Sequence, residues 1–260
     1  MNLFDLTRKA GKLFLKNSAH REIFHVHTYR CRHAANVADE MYILKAIDLG
    51  AVSITFTDHA PFPGNPFGNR MDIQQLSEYL GSLSRLKEKY ENVIEVRTGL
   101  EIEYLPHFEY YYEKLKASGC FDVLMIGQHF YEYNDNRYNF SLPKEEMKRK
   151  EAGGLCKAAL AGMKTGLFQV MAHPDRMFRY CGSWNKDMEQ MSGELIKTAL
   201  QYDITLEKNL SSMKNAGYYR HEFWRLVPDP SKTRIGIDAH KVDQLEEITE
   251  YFNMEEKRIC

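Results

Sequence analysis

Three observations in the sequence predict an α/β fold arranged as a closed or nearly closed barrel. Seven short apolar runs rich in β-favouring residues alternate with longer stretches of helical periodicity. Each gap between runs accommodates the dozen or more residues that a parallel crossover needs. No Gly-rich dinucleotide turn follows the first run, so a barrel is preferred, with a doubly wound open sheet as the alternative.

Taken in order, the strand candidates are "EIFHVH" (22–27), "AVSITFTDH" (51–59), "VIEVRTGLEI" (93–102) and "FDVLMIGQH" (121–129). They continue with "LFQVMAH" (167–173), "DITLEKN" (203–209) and "TRIGIDAH" (233–240). Near-continuous apolar character is what strands covered on both faces carry. The intervening helices are predicted over 38–50, with Gly50 as the stop, and over 71–90, 145–164 and 188–202. Two stretches read as loops at strand ends, where α/β folds place their binding segments. They are the Pro/Gly-rich "APFPGNPFGNR" (60–70) and the polar, aromatic "FYEYNDNRYNFSLP" (130–143).

A chain of 260 residues suits one large domain or two small ones, and 43% apolar with 27% charged residues is ordinary globular composition. The net charge of −1, without a basic stripe, does not suggest long nucleic acid as a partner. Cysteines 31, 120, 156, 181 and 260 form no CxxC pair, and their odd number reads as reduced thiols in a cytoplasmic protein. The N-terminal stretch lacks the apolar core of a secretory signal. Leu3, Leu6, Leu13 and Phe14 there suggest an amphipathic helix that covers the domain, with attachment to a membrane surface as the lesser alternative. No apolar run is long enough to span a membrane, so no membrane partner is expected.

Chemistry concentrates at one kind of place. Of ten histidines, seven lie at or just past predicted strand ends: His25, His27, His33, His59, His129, His173 and His240. Carboxylates accompany them, namely Asp58, Glu101, Glu103, Asp175 and Asp238. Parallel strands present their carboxyl ends to one mouth, so residues distant in sequence can meet there. Imidazole with carboxylate suits zinc, manganese or iron, and the donor set exceeds the needs of one tetrahedral ion. Two or three divalent metal ions are therefore expected. Such sites suit phosphoester and amide hydrolysis, and an anionic electrophile favours the phosphoester.

The ordered motifs "HVHTYRCRH", "FTDHAP", "GLEIEY", "GQH", "AHPD" and "GIDAH" resemble the polymerase and histidinol phosphatase (PHP) superfamily, most closely its histidinol-phosphatase branch. The resemblance runs from about residue 24 to about 245. It implies an α/β fold, a distorted seven-stranded (β/α)7 TIM-like barrel, as a single domain over 23–260 after an N-terminal extension, 1–22. It also implies a trinuclear site. His25, His27, Glu101 and Asp238 would hold one metal; Glu101 would bridge to a second, held also by His129 and His173. His33, His59 and His240 would hold the third. Glu101 and Asp238 thereby count among the catalytic residues. The implied reaction is hydrolysis of L-histidinol phosphate, in histidine biosynthesis, through a hydroxide bridging two metals. Metal-bound water, Asp58 and Asp175 all stand as proton donors to the leaving group. The serine common in relatives is replaced by Ile237, a neighbour of the ligands.

Arg176 and Arg179 follow a ligand strand and are candidates for catalytic and substrate-binding roles, gripping the phosphate as guanidinium forks. Arg30 and Arg32 are weaker candidates. Asp58 and Asp175 read as orienting or capping residues, and Glu103 shares the face of Glu101. His20, His107 and His221 fit no ligand position. Tyr110 to Tyr112 read as packing residues, and Asn209, Ser211 and Ser212 either bind a polar substrate or cap the next segment. A small phosphorylated substrate is the expected partner; the sequence carries no sign of the oligomeric state. Rival readings are a nucleotide phosphatase or exonuclease on small nucleotides, a protein-tyrosine phosphatase and a non-catalytic metal-binding protein.

Overall fold

A computed structural model of the chain describes residues 22–134, 137–140, 148–215 and 217–259. The predicted N-terminal helix and His20 lie outside them. Among the described residues nine strands follow in chain order: β1 (Glu22–Val26), β2 (Ser53–His59), β3 (Glu95–Ile102), β4 (Val123–Ile126), β5 (Phe130–Asn134), β6 (Arg137–Phe140), β7 (Val170–Met171), β8 (Thr205–Asn209) and β9 (Thr233–Gly236). All but β5 and β6 coincide with the predicted runs, and these seven form one sheet in the order β1-β2-β3-β4-β7-β8-β9. The pairings β1–β2, β3–β4, β4–β7, β7–β8 and β8–β9 are parallel. Strand order follows chain order without reversal, which is the barrel-type (β/α)7 succession and not the doubly wound one.

Among the described residues eight α-helices accompany them: α1 (Asp39–Asp48), α2 (Leu76–Lys89), α3 (Glu109–Ala117), α4 (Lys148–Lys164), α5 (Lys186–Gln201), α6 (Leu210–Lys214), α7 (His221–Arg225) and α8 (Glu247–Ile259). The four predicted helices appear as α1, α2, α4 and α5. Gly50, at φ +77°, follows α1 as its stop. Asp72 and Gln75 form a capping box ahead of α2. Asn185 caps α5 by accepting from the Met188 N–H at 3.0 Å. The buried face of α5, with Met188, Ser192, Leu195, Ile196 and Ala199, has the spacing of a core-facing stripe.

The chain gathers into two compact units. The first comprises Met1–Phe56, Pro61–Arg97 and Ile237–Cys260. Its β1 and β2 bury Ile23, Phe24, Val26, Ile54 and Phe56 together with Tyr42 and Ile43 of α1. Just beyond β9 the chain returns to β1. The Ile237 N–H donates to the Phe24 carbonyl at 2.9 Å, and the His27 N–H to the Ala239 carbonyl at 2.8 Å. Val26 faces Ala239 in a parallel bridge.

The first unit also settles Arg30. Its guanidinium is buried and forked onto Asp39 at 2.8 and 3.0 Å and onto Glu78 at 2.6 and 2.7 Å. Burial alone would weaken its charge, but these two carboxylates hold it firmly protonated. Arg30 is thus a structural cation, and Arg32 pairs with Asp72 at the surface.

The second unit comprises Thr57–Ala60 and Thr98–Gly236. Leu124, Met125, Ile126, Val170, Met171 and Leu206 form the buried centre of its strands. One expectation fails here. The segment predicted as a loop over 130–143 contains the antiparallel hairpin β5–β6, with Phe130 opposite Phe140 and Tyr131 opposite Asn139. Cross-strand aromatic contacts stabilise it, Phe130 to Phe140 at 4.8 Å and Phe130 to Tyr138 at 6.0 Å between ring centres. Tyr112 of α3 is buried and Tyr110 exposed, as packing residues.

Arg30→Ala leaves two carboxylates facing each other without their cation. It is expected to lower the unfolding free energy by about 3 kcal/mol, the cost of stripping one partner from a buried pair. Urea denaturation measures this, and a loss below about 1 kcal/mol, typical of an exposed pair, would contradict the buried network.

Candidate metal centre

The strand ends carry the predicted donors in two groups, one in each unit. In the first unit His25 and His27 stand at the end of β1. The sequence places them on one face of a regular strand, whereas His25 adopts φ +68° at a register shift between Phe24 and Val26. The bulge nevertheless brings their Nε2 atoms to 3.0 Å. Asp238, at φ +62°, places Oδ1 3.6 Å from His25 Nε2 and 3.3 Å from His27 Nε2. His33 and His240 face each other with Nε2 atoms 2.8 Å apart.

These contacts define what the group can hold. His33 Nδ1 lies 2.8 Å from the Cys31 carbonyl, and His240 Nδ1 lies 3.0 Å from the Asp238 carbonyl. A carbonyl only accepts, so each Nδ1 carries the proton and each Nε2 presents a lone pair. Burial and the neighbouring His27 push the His240 imidazole down to about 4, so it is neutral near pH 7. Two lone pairs at such separation repel unless a cation lies between them, and a divalent metal meets that requirement. Cys31 is buried beside this group, with its Sγ within 4.8 Å of donor atoms of His27 and His240.

The second unit centres on Glu101, buried at the end of β3. Its Oε1 is 2.9 Å from His173 Nε2 and 3.8 Å from His129 Nε2; Oε2 is 3.2 Å from His59 Nδ1. His173 follows β7 at φ +30°. Burial, then the positive charge of Arg176, push its imidazole down to about 4. Glu103 lies 3.0 Å from His129 Nδ1, which turns Nε2 of that ring toward Glu101. Carboxylates commonly fix metal-binding imidazoles in this way. Gly127 makes the arrangement possible, because a Cβ there would stand 2.1 Å from Glu101 Oε1.

Three of the predicted ligands, His25, His173 and Asp238, have left-handed backbone conformations. Non-glycine residues avoid that region unless their surroundings enforce it, and such strain collects at functional sites.

Arg176 Nε donates to Ser212 Oγ at 2.9 Å and its Nη2 to Asn209 Oδ1 at 2.7 Å. Asn209 Oδ1 also caps α6 through the Ser212 N–H at 2.9 Å. Arg179 lies over the rings of Tyr180 and Tyr218, 5.7 and 5.3 Å from their centres. Asp175 is wholly buried, accepting from the Arg220 N–H at 2.8 Å and Trp224 Nε1 at 3.0 Å, and burial pushes its carboxyl up to about 6. It anchors the segment before α7. His107 pairs with Glu132 at 2.8 Å, and His221 meets the Tyr219 ring edge to face. Sequence reasoning missed Glu207, a buried carboxylate on β8 that accepts from the His173 N–H at 3.0 Å. Its two-residue spacing from Asn209 on a predicted strand was the available signal.

The profile of the PHP domain matches residues 24–211. This chain belongs to the PHP domain family. A protein of Deinococcus radiodurans named "Probable histidinol-phosphatase" is 29% identical over 236 residues, covering 84% of this chain and 85% of that protein. The histidinol-phosphatase of Bacillus subtilis is 37% identical over 91 residues, covering 33% of this chain and 34% of that one. A crystal structure of histidinol phosphate phosphatase from Lactococcus lactis, complexed with zinc, L-histidinol and phosphate, superposes with a TM-score of 0.67. It is 19% identical and covers 90% of this chain and 93% of its own, a likeness of fold. Within the PHP chain described here, no helix among the described residues is long and apolar enough to cross a membrane.

Gly127→Ala drives a methyl group into Glu101. We expect the purified variant to lose metal from this group, read by elemental analysis, and its unfolding midpoint to fall with the lost metal; full metal content would contradict the close approach.

A second expectation follows from Asp175. Its folded pKa of about 6 exceeds the ordinary 3.8, so the folded state keeps a proton the unfolded chain has released. This contribution is therefore lost as pH rises between those values. Asp175→Asn should gain stability relative to the parent across that window, by up to about 1.4 kcal/mol per pH unit. Parallel stability curves from urea denaturation would refute it.

Proposed function

We propose that this PHP chain is a metal-dependent phosphomonoesterase that hydrolyses L-histidinol phosphate to L-histidinol and phosphate. The observation that carries the reading is the crowding of imidazole and carboxylate donors at strand ends in a chain of this family. The histidinol-phosphatase names of its relatives, and the zinc, histidinol and phosphate bound by the Lactococcus protein, support the substrate and the metal.

The ligand roles follow the family pattern: His25, His27 and Asp238 with Glu101 for one ion, Glu101, His129 and His173 for a second. The same pattern gives His33, His59 and His240 to a third, a part of the reading that metal stoichiometry tests. Zinc is the first choice, with manganese and iron the other metals such donors accept. Divalent ions held there would supply a water that ionises near neutral pH and would offset charge on the phosphate oxygens.

The protein's own groups do the rest. Neutral imidazoles at His173 and His240 are ready to donate lone pairs at physiological pH. Glu103 keeps the His129 ring in its donating tautomer. Arg176 and Arg179 hold the phosphoryl oxygens, which concentrates and orients the substrate. Both bonds that Asp175 accepts fall on its Oδ2, and it stands with Asp58 and a water that bound metal would supply as a proton donor to the leaving alcohol. Reduced cysteines, free of disulfides at residues 31, 120, 156 and 181, fit a cytoplasmic enzyme of histidine biosynthesis.

The deciding experiment offers the zinc-loaded protein L-histidinol phosphate, 3′-phosphorylated nucleotides, single-stranded oligonucleotides and phosphotyrosine peptides. Highest kcat/KM on L-histidinol phosphate is expected, and clear preference for any other substrate overturns the assignment. Glu101→Ala and His129→Ala should each remove most turnover and lower metal content. Arg179→Ala should raise KM at least about tenfold, the value of one charge-assisted contact, with metal content unchanged.

A further inference from the structure

The end of β8 joins a proposed metal ligand to a proposed phosphate-binding arginine. Glu207 is fully buried, and its Oε2 accepts two hydrogen bonds, from the His173 N–H at 3.0 Å and from Asn209 Nδ2 at 3.1 Å. Asn209, also fully buried, turns its Oδ1 to Arg176 Nη2 at 2.7 Å. Ser212 completes the fork by accepting from Arg176 Nε at 2.9 Å. A continuous chain of bonds thus runs from the His173 backbone through Glu207 and Asn209 to the guanidinium.

Two features show that this chain does more than satisfy polar groups. The bond from His173 fixes a backbone at φ +30°, which a histidine does not adopt unaided. Room for the carboxylate is made by the missing side chain of Gly236, where a Cβ would lie 1.7 Å from Glu207 Oε1. A buried carboxylate costs desolvation, so an apolar residue would serve the core better if packing were the only demand.

We propose that Glu207 and Asn209 are positioning residues for phosphoester hydrolysis, Glu207 setting the turn that presents His173 and Asn209 aiming Arg176. This rests on the phosphomonoesterase reading above. Asn209 and Ser212 together hold one edge of the guanidinium, which sets the direction of the fork. Neither residue need touch substrate or metal.

The test separates the two arms. Asn209→Ser keeps an oxygen able to cap α6 but is too short to reach Arg176. It should raise KM for L-histidinol phosphate about tenfold, the loss of one hydrogen bond to a charged group, with kcat and zinc content near the parent's. Glu207→Ala should weaken zinc binding to the metal-free protein about tenfold by calorimetry, whereas Glu207→Gln, which retains an acceptor oxygen, should restore it. An unchanged KM in Asn209→Ser refutes the aiming role. Equal zinc affinity in Glu207→Ala and the parent refutes the presenting role, and so does failure of Glu207→Gln to restore a weakened affinity. Should the parent protein turn over none of the phosphomonoesters, the functional reading falls. The zinc comparison between Glu207→Ala and Glu207→Gln then still judges the presenting role by itself.

Discussion

The structure depends on a repulsion. Protein interiors tolerate a buried carboxylate or imidazole when something of opposite character meets it. Here the strand ends bring like to like: Nε2 against Nε2 at His33 and His240, and Nε2 against Nε2 at His25 and His27. Backbone carbonyls fix the protons of His33 and His240 on the far side of each ring, which denies that pair the simplest relief. Divalent cations are the remaining partner of matching charge. The surrounding sequence, from the bulge in β1 to the space beside Gly127, reads as accommodation of that crowding.

Holding such groups together requires a rigid frame. The parallel register supplies direction, and the bonds from residues 237–239 to β1 fix the first unit's ligand pairs against each other. Distorted backbone at His25, His173 and Asp238 then turns side chains where a regular strand would not send them. Hydrogen bonds from neighbouring segments hold two of these residues, Glu207 at His173 and the Ala239 N–H at His25.

Much of this was legible in the residues alone. Strands covered on both faces leave continuous apolar runs, so all seven sheet strands could be read, although β7 shrinks to Val170–Met171 once hydrogen bonding defines it. Donor residues at strand ends were readable because parallel strands share a polarity. What escaped has physical reasons. Helix α3 begins with "EYYY", whose tyrosines favour strands, and α6 and α7 are short five-residue turns, of which α6 is capped by Asn209. The hairpin strands were masked by their polar content, because only Phe130 and Tyr131 of β5 are buried. The roles of Glu207 and Gly127 arise from close approaches between strands, which no local pattern announces.

The hairpin β5–β6 carries a consequence for how this scaffold diversifies. It begins directly after His129 and satisfies its ladder within itself, with no other strand in its two-stranded sheet. Lengthening or shortening it by paired residues would leave the register of the main sheet, and hence the donor residues at its strand ends, where they are. Length can therefore vary at this appendage while the seven-stranded sheet keeps its pairing.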